Sequence, residues 1–215
     1  YEMLRSLVGS EMCIRDRDMG LEGMRFDIVY GGGRITATIP SPGIHMVMNS
    51  LCAAAVGLTL GIEPELIKQG IESYAPVEGR MQIIKTQRLT LLDDSFNANP
   101  TSMAAAINIA CRASGRTVLI LGDMLELGEK GAEYHRNMGK KAVECGADIM
   151  IGKGPLMKNA CEETERAGIE TMHFDTSEDI MRTLDNCLRD GDTVLVKASH
   201  GTNLKDVAEY IKANF

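Results

Sequence analysis

Hydrophobic and polar positions divide the chain into two regions with different patterns. In the first, two short runs rich in β-forming residues occupy residues 25–39 and flank three glycines at 31–33, which predicts a β-hairpin. Two helices are predicted next, at residues 44–60 and 64–74. The first of these is apolar around almost its whole circumference, which indicates a buried helix.

After Arg80, short β-forming runs alternate with longer helical stretches. Continuous apolar runs such as VLIL and TVLV are typical of strands that are covered on both faces. The pattern therefore predicts an α/β fold, a mostly parallel sheet with helices on each side. The predicted strands are 89–94, 117–123, 147–152, 170–175 and 192–198, and the predicted helices are 101–113, 132–145, 156–167, 177–188 and 203–212.

Composition and charge remove several classes of function. The formal net charge of -7 is spread along the chain without a Lys/Arg cluster, which argues against nucleic acid as a partner. No apolar run approaches the roughly 20 residues that a membrane span needs. The six cysteines are far apart and form no CxxC pair, as in reduced cytosolic proteins, so neither a zinc site nor a disulfide framework is predicted.

Polar residues gather where the predicted strands end, which is where parallel sheets bind ligands. The run DDSFNANP (93–100) holds two carboxylates, a hydroxyl and two carboxamides, although a helix cap would need only one such group. Asp93 and Asp94 are adjacent, so they should point to opposite sides of the strand. Each of these polar residues could serve either a ligand or a helix cap.

Further polar groups follow the next strand and precede the predicted helices. Asp123 and Glu126 in GDMLELGE could receive a cationic amine, whereas the lone His135 is interpreted as a packed or solvated side chain. His45 and Asn49 share one helix face, where either a ligand or an internal hydrogen bond could satisfy them. No GxxxxGK[ST] phosphate loop occurs, and no strand is followed by GxGxxG, which argues against a dehydrogenase.

Five motifs carry a resemblance to a known family. PGIHMVMNSLCAAAVGL, EGRMQ, DDSFNANPTSM, LGDMLELGE and LVKASHG stand in the order and approximate spacing of the dipeptide-adding branch of the Mur ligase family, over residues 25–215. The resemblance implies a Rossmann-like, mostly parallel C-terminal domain at 80–215, preceded by the truncated end of an α/β ATPase domain at 18–79. Residues 1–17 resemble a translated sequencing adapter and are expected to lack regular structure.

The family resemblance also implies a reaction. ATP phosphorylates the terminal carboxylate of a UDP-N-acetylmuramoyl-tripeptide, and the amine of D-Ala-D-Ala then attacks the acyl phosphate. ATP and Mg²⁺ are the expected cofactors, with the phosphate loop, the magnesium ligands and a carbamylated lysine expected in a part that precedes this chain. By itself the chain is expected to be inactive. A cytoplasmic monomer is expected.

Matching the family's motifs residue by residue gives the candidate site. Arg80 and Lys197 correspond to catalytic positions, and no metal ligand falls within the chain. The ATP-binding positions are His45, Asn49, Arg80 and Asp94, and the substrate-binding positions are Asn97, Asn99, Asp123, Glu126 and Ser199. Two residues depart from the family pattern: Met46 stands where many members have asparagine, and His200 stands where a guanidinium is common.

Two alternatives remain beside this prediction. The chain could belong to another Mur-type amide ligase, such as a folylpolyglutamate or cyanophycin synthetase relative, although NANP and GDMxELG argue against it. It could instead be a non-catalytic Rossmann-like module for nucleotide binding or protein interaction, since such a sheet alone does not specify function.

Overall fold

A computed structural model describes residues 13–31 and 33–215 of the chain. The chain separates into two compact units, with the division between Pro76 and Val77. This division falls near the predicted domain change at Arg80. The identity of the two units as the end of an ATPase domain and a C-terminal domain stays a prediction.

Unit 1 is a small antiparallel sheet with two helices. Its strands are β1 (Cys13–Asp18), β2 (Met24–Tyr30) and β3 (Gly33–Ile39), in the order β1-β2-β3, and its helices are α1 (Ile44–Thr59) and α2 (Pro64–Glu72). Strands β2 and β3 pair from Met24↔Ile39 to Tyr30↔Gly33, which confirms the predicted hairpin. Alternate side chains of both strands and one face of each helix form its core.

Two predictions for unit 1 are wrong in part. Cys13–Asp18 pairs with β2, so regular structure is present where none was expected; antiparallel pairing uses backbone groups and needs no hydrophobic period. Residues 1–12 lie outside the described part of the chain. Helix α1 buries one face only, since Ile44 is 55% and Val56 53% exposed, because only the side that packs on the unit's core is covered.

Unit 2 is a six-stranded sheet in the order β4-β5-β9-β6-β7-β8. The neighbouring pairs are parallel except that the first strand runs antiparallel to the second. The strands are β4 (Gln82–Lys85), β5 (Thr90–Asp94), β6 (Thr117–Gly122), β7 (Ile149–Lys153), β8 (Glu170–Phe174) and β9 (Thr193–Lys197). The helices are α3 (Pro100–Arg112), α4 (Gly131–Cys145), α5 (Lys158–Arg166), α6 (Ser177–Cys187) and α7 (Lys205–Asn214).

The core of unit 2 confirms the predicted α/β fold class. All six residues of β6 are buried, which requires cover on both faces of the sheet. Helices α3, α4 and α5 pack against one another in succession, and α6 packs against α7. Strand β9, the last in the chain, lies between β5 and β6, so loops that are far apart in sequence meet at one edge of the sheet.

None of the helices in the described part of the chain combines the length and the apolar character that a membrane crossing requires.

Candidate active site

Three loops meet at the carboxyl edge of the central strands of unit 2. They follow β5, β6 and β9, and the strand register places Lys197 beside both Asp94 and Leu121. Two neighbouring strands lead here to different groups of helices, because β5 is followed by α3, which packs on α4, and β9 is followed by α7, which packs on α6. Such switch points are where open α/β sheets bind ligands.

Asp94 and Lys197 form an ion pair at the base of these loops. Lys197 Nζ lies 2.5 Å from Asp94 Oδ2 and donates a second hydrogen bond to the carbonyl oxygen of Asn97 at 2.9 Å. The other carboxylate oxygen of Asp94, Oδ1, accepts from the backbone N–H of Met81 at 2.9 Å. The Lys197 side chain is only 2% exposed, so the pair is a buried element of the site.

Asp93 points to the opposite side of β5, as its position beside Asp94 predicts. Its Oδ1 accepts from the backbone N–H and the hydroxyl of Ser95, at 3.2 and 2.6 Å. Its Oδ2 lies 2.8 Å from Nζ of Lys212 on α7. Burial lowers the pKa of Lys212, but its hydrogen bonds to Asp93 and Glu209 outweigh this effect and leave the pKa above its ordinary value.

The loop after β5 uses its carboxamides locally. The side-chain oxygen of Asn97 accepts from the N–H of Ala98 at 2.8 Å, and the residue is exposed. Asn99 caps α3: its side-chain oxygen accepts from the N–H of Ser102 at 2.8 Å, and the Ser102 hydroxyl accepts from the N–H of Asn99 in return. Pro100 occupies the first helical position, where its missing N–H costs no hydrogen bond and its fixed φ favours the helix. The structure therefore gives Asn99 a capping role.

Ser199 joins all three loops. Its hydroxyl donates to the carbonyl of Ala98 at 3.3 Å and accepts from the N–H of Leu125 at 3.0 Å. Its backbone N–H donates to the carbonyl of Asp123 at 3.1 Å. Ser199 is 5% exposed, so this predicted substrate-binding residue is a buried tie between the loops.

Asp123 is also engaged by the protein itself. Its two carboxylate oxygens accept from the N–H groups of Leu156 and Met157, at 3.2 and 2.7 Å. A Cβ on Gly154 would stand 2.6 Å from the carboxylate carbon, so only glycine permits this approach. The carboxylate thereby satisfies backbone donors at the approach to α5, and it is 5% exposed.

His135 confirms the expectation of a packed side chain. It is fully buried, its Nε2 accepts from the N–H of Met124 at 2.9 Å, and its Nδ1 lies 2.6 Å from the carbonyl oxygen of Gly131. Acceptance at Nε2 and donation at Nδ1 fit the neutral ring with its proton on Nδ1. His135 therefore holds the loop after β6 against α4.

Glu126 differs from its neighbours because it is exposed and its backbone is strained. Its φ is +63°, in the left-handed region that residues with a side chain adopt at a cost of about 1 to 2 kcal/mol. Leu125 beside it is 44% exposed. The loop thus presents a carboxylate to solvent at the carboxyl edge of the sheet. Strained residues of this kind cluster at functional sites, which makes Glu126 a candidate for ligand contact.

Arg80 stacks on an aromatic ring of the loop after β5. Its guanidinium carbon lies 4.0 Å from the centroid of Phe96, and the ring of His200 lies 5.6 Å from the same centroid. Arg80 is exposed and Phe96 is 42% exposed. The ring holds a permanent positive charge at the surface of the site, where a phosphate could meet it.

His45 and Asn49 lie near the start of α1 in unit 1. Asn49 is exposed, and its side-chain amide donates to the sulfur of Met46 at 3.8 Å. His45 is half-buried. The helical spacing places both on one face of α1, as the sequence predicted, and their role toward a nucleotide stays a prediction.

Lys153 is a residue that the sequence reasoning missed. It ends β7, and its ammonium donates to the hydroxyl of Ser177 at 2.7 Å and to the carbonyl of Thr202. Burial lowers the pKa of Lys153 below its ordinary value, although the negative charges of Glu178 and Asp206 act in the opposite direction. The sequence IGKG, a lysine among small residues at a strand end, was an available signal for it.

The described residues offer no cluster of three or more His, Cys, Asp and Glu side chains that could hold a metal ion.

Comparisons with known proteins agree on one family. The family model described as Mur ligase, glutamate ligase domain, matches residues 79–200. The UDP-N-acetylmuramoyl-tripeptide--D-alanyl-D-alanine ligase of Buchnera aphidicola is 33% identical over 193 residues, which cover 88% of this chain and 41% of that protein. The ligase of the same name from Treponema pallidum is 35% identical, and the match covers 87% of this chain and 40% of that one.

Solved structures of similar proteins share the fold. The UDP-N-acetylmuramoylalanyl-D-glutamyl-2,6-diaminopimelate--D-alanyl-D-alanyl ligase of Acinetobacter baumannii superposes with a TM-score of 0.84 at 26% identity, over 94% of this chain and 44% of that one. A MurF ligase from Thermotoga maritima, solved in complex with ADP, gives 0.78 at 21% identity, over 94% and 46% of the two chains. The chain thus spans about two fifths of the length of the curated relatives.

Proposed function

This chain belongs to the Mur ligase family, and we propose that it is the C-terminal part of an ATP-dependent ligase that joins D-Ala-D-Ala to a UDP-N-acetylmuramoyl-tripeptide. The observation that carries the proposal is the meeting of DDSFNANP and GDMLELGE at one sheet edge, where the backbone and hydroxyl of Ser199 bind both loops. These are the two motifs by which the chain resembles the dipeptide-adding branch. Relatives of that activity match nearly the whole chain.

In the proposed reaction the C–N bond of the new amide forms as the C–O bond to the phosphate breaks. The ammonium of the dipeptide first loses one proton to solvent; the free amine then supplies the electron pair and loses a second proton as the amide forms, and inorganic phosphate leaves. Most of the catalytic effect in such transfers comes from positioning and charge neutralisation. The chain's contribution would be to bring the amine substrate and a positive charge to the reacting groups.

Nucleotide contacts are proposed for Arg80, Asp94, His45 and Asn49. The exposed guanidinium of Arg80, held on Phe96, could neutralise developing charge on the ATP phosphates without losing its proton. Asp94 could accept a hydrogen bond from a ribose hydroxyl, because a carboxylate offers about four acceptor sites. Mg²⁺ is proposed as the metal cofactor of the same ATP-dependent reaction.

Dipeptide contacts are proposed for the loops after β5 and β6. Glu126 offers an exposed carboxylate that could pair with the ammonium of D-Ala-D-Ala. Asn97 is exposed in the neighbouring loop and could hydrogen-bond the peptide backbone. Asn99, Asp123 and Ser199 would support these contacts by fixing the loops, because their oxygens already serve backbone groups. A cytoplasmic site of action is part of the same proposal.

A chimaeric enzyme tests this function. Residues 24–215 would replace the equivalent part of the related ligase of Bacillus subtilis, which is 32% identical over 91% of this chain. We expect the purified chimaera to form an amide with D-Ala-D-Ala in the presence of ATP and UDP-N-acetylmuramoyl-tripeptide, as detected by mass spectrometry. The parent ligase is the control. Incorporation of a single amino acid instead of the dipeptide would assign the chain to another branch of the family.

A further inference from the structure

Lys197 lies in the centre of the candidate site, yet its ammonium is turned into the protein. The side chain is 2% exposed, and Nζ bonds Asp94 Oδ2 at 2.5 Å and the carbonyl of Asn97 at 2.9 Å. A buried ammonium is tolerated only when it is paired and hydrogen-bonded, and these partners meet that condition. A lysine held in this way does not present its charge to a substrate.

The contacts of Lys197 with the end of β5 and the loop after it reach a second segment through Asp94. The carboxylate of Asp94 also accepts a hydrogen bond from the backbone N–H of Met81 at 2.9 Å. Met81 is the residue that follows Arg80. Met81 has a φ of +48°, so its backbone conformation needs external support. Asn97 lies next to Phe96, the ring on which Arg80 stacks. One ammonium therefore fixes both the segment that carries Arg80 and the loop that carries Asn97.

We propose that Lys197 is a positioning residue, which holds Arg80 and the loop after β5 in a fixed register without touching either substrate. The proposal rests on the proposed function only in assigning these two segments to the nucleotide and to the dipeptide. Loss of Lys197 should then weaken the use of both substrates together, although each is contacted by different residues.

Strand β5 itself provides a matched control. Lys212 pairs with Asp93 at 2.8 Å on the other side of the strand, so it makes the same type of bond with the neighbouring aspartate. Its partners Asp93 and Glu209 lie outside the loops of the site. A Lys212→Met variant therefore removes an ion pair of the same type without touching Arg80 or Met81, and it reaches the loop after β5 only through Asp93, which also binds Ser95.

Site-resolved amide hydrogen exchange in the 215-residue chain tests the proposal. Lys197→Met should accelerate exchange about tenfold or more at the N–H groups of Met81, Phe96 and Ala98, because a hydrogen bond to a charged group is lost at each end of the contact. Lys212→Met should leave the exchange rates of these three amides unchanged and should accelerate exchange in α7, the helix that carries Lys212. If both variants changed exchange equally over the whole sheet, Lys197 would be a general stabiliser and the proposal would be wrong.

A second variant covers the case in which Lys197→Met does not fold. Asp94→Asn keeps the size of the side chain and removes the ion pair, so it should accelerate exchange at the same amides to a smaller extent. Unchanged exchange at Met81 in a folded Asp94→Asn chain would overturn the proposal.

Steady-state kinetics of the chimaeric enzyme give KM values, which a loss of stability alone would not change. Lys197→Met should raise KM for ATP and for D-Ala-D-Ala about tenfold each, whereas a smaller folded fraction would lower kcat at constant KM. An effect on kcat alone would contradict positioning. If the unmodified chimaera did not use the dipeptide at all, the proposed function would fail, and the exchange experiment would still decide the role of Lys197.

Discussion

The two sides of strand β5 show how the same residue type serves the fold on one side and the site on the other. Asp93 is 1% exposed and is paired with Lys212 of the last helix, so it fastens α7 to the sheet. Asp94 is paired with Lys197 and binds the N–H of Met81, so it organises the loops at the sheet edge. Asp93 and Asp94 are the same residue type at adjacent positions, so their different roles come from their partners, Lys212 and Lys197.

The largest effect expected from this comparison is on stability. Asp93→Ala should lower the free energy of unfolding by about 3 kcal/mol, because it leaves the Lys212 ammonium without its buried partner. Urea unfolding of the 215-residue chain, followed by circular dichroism, measures it. Asp190→Ala is the control: its pair with Arg88 is exposed, so a change within about 0.5 kcal/mol is expected. If Asp93→Ala lowered the free energy of unfolding by less than about 1 kcal/mol, Asp93 would not have the structural role that distinguishes it from Asp94.

The other side of the strand should affect nucleotide use. Arg80→Ala and Asp94→Ala are each expected to lower kcat/KM for ATP in the chimaera by about 10- to 150-fold, the effect of losing a hydrogen bond or ion pair with a charged group. Arg88→Ala, an exposed arginine of the same unit outside the site, should behave like the unmodified enzyme. Normal ATP kinetics in both variants would show that this side of β5 does not meet the nucleotide.

The strained carboxylate of the neighbouring loop should show opposite effects on stability and function. Glu126→Gly should raise the free energy of unfolding by about 0.5 to 1 kcal/mol, because glycine adopts the positive φ without strain, while use of the dipeptide should fall. Glu129→Gly, a short-helix position two residues beyond Leu127, should instead lower stability slightly. A destabilised Glu126→Gly chain would mean that the side chain has a structural role.

The smallest effect concerns pH. The pKa of Lys212 is raised in the folded chain, so its pairing stabilises the fold fully below the unfolded pKa of about 10.4 and loses this effect as the pH rises through the folded value. The stability difference between the unmodified chain and Lys212→Met should therefore be constant from pH 7 to about 10 and decline above that. Equilibrium unfolding over this range measures it; a difference that grows with pH would contradict the sign.

Much of the fold of unit 2 could be predicted because its strands are continuous apolar runs. The expected strand at 117–123 is observed as Thr117–Gly122, and the one at 192–198 as Thr193–Lys197. Strand β4 (Gln82–Lys85) was missed, since four residues without a period give no signal and the strand exists through its pairing with β5. For the same reason β1 was missed in unit 1.

The residue types of the site could be predicted, but their partners could not. The alternation along a strand indicated that Asp93 and Asp94 would separate, and the position of Asp123 at a strand end was evident. The sequence does not indicate that Asp123 serves the N–H groups of Leu156 and Met157, or that Lys197 is buried, because those contacts depend on the order of strands in the sheet. Direct contact with a ligand and support of a loop give the same pattern in sequence.

The assignment of the dipeptide to the loops after β5 and β6 is tested most directly by the KM of the chimaeric enzyme for D-Ala-D-Ala. Glu126→Ala and Asn97→Ala should each raise this KM by about tenfold, while KM for ATP stays within about twofold of the unmodified value. Glu129→Ala, which changes a nearby carboxylate, should alter neither. An unchanged KM for the dipeptide in both variants, or a change in KM for ATP alone, would contradict the assignment.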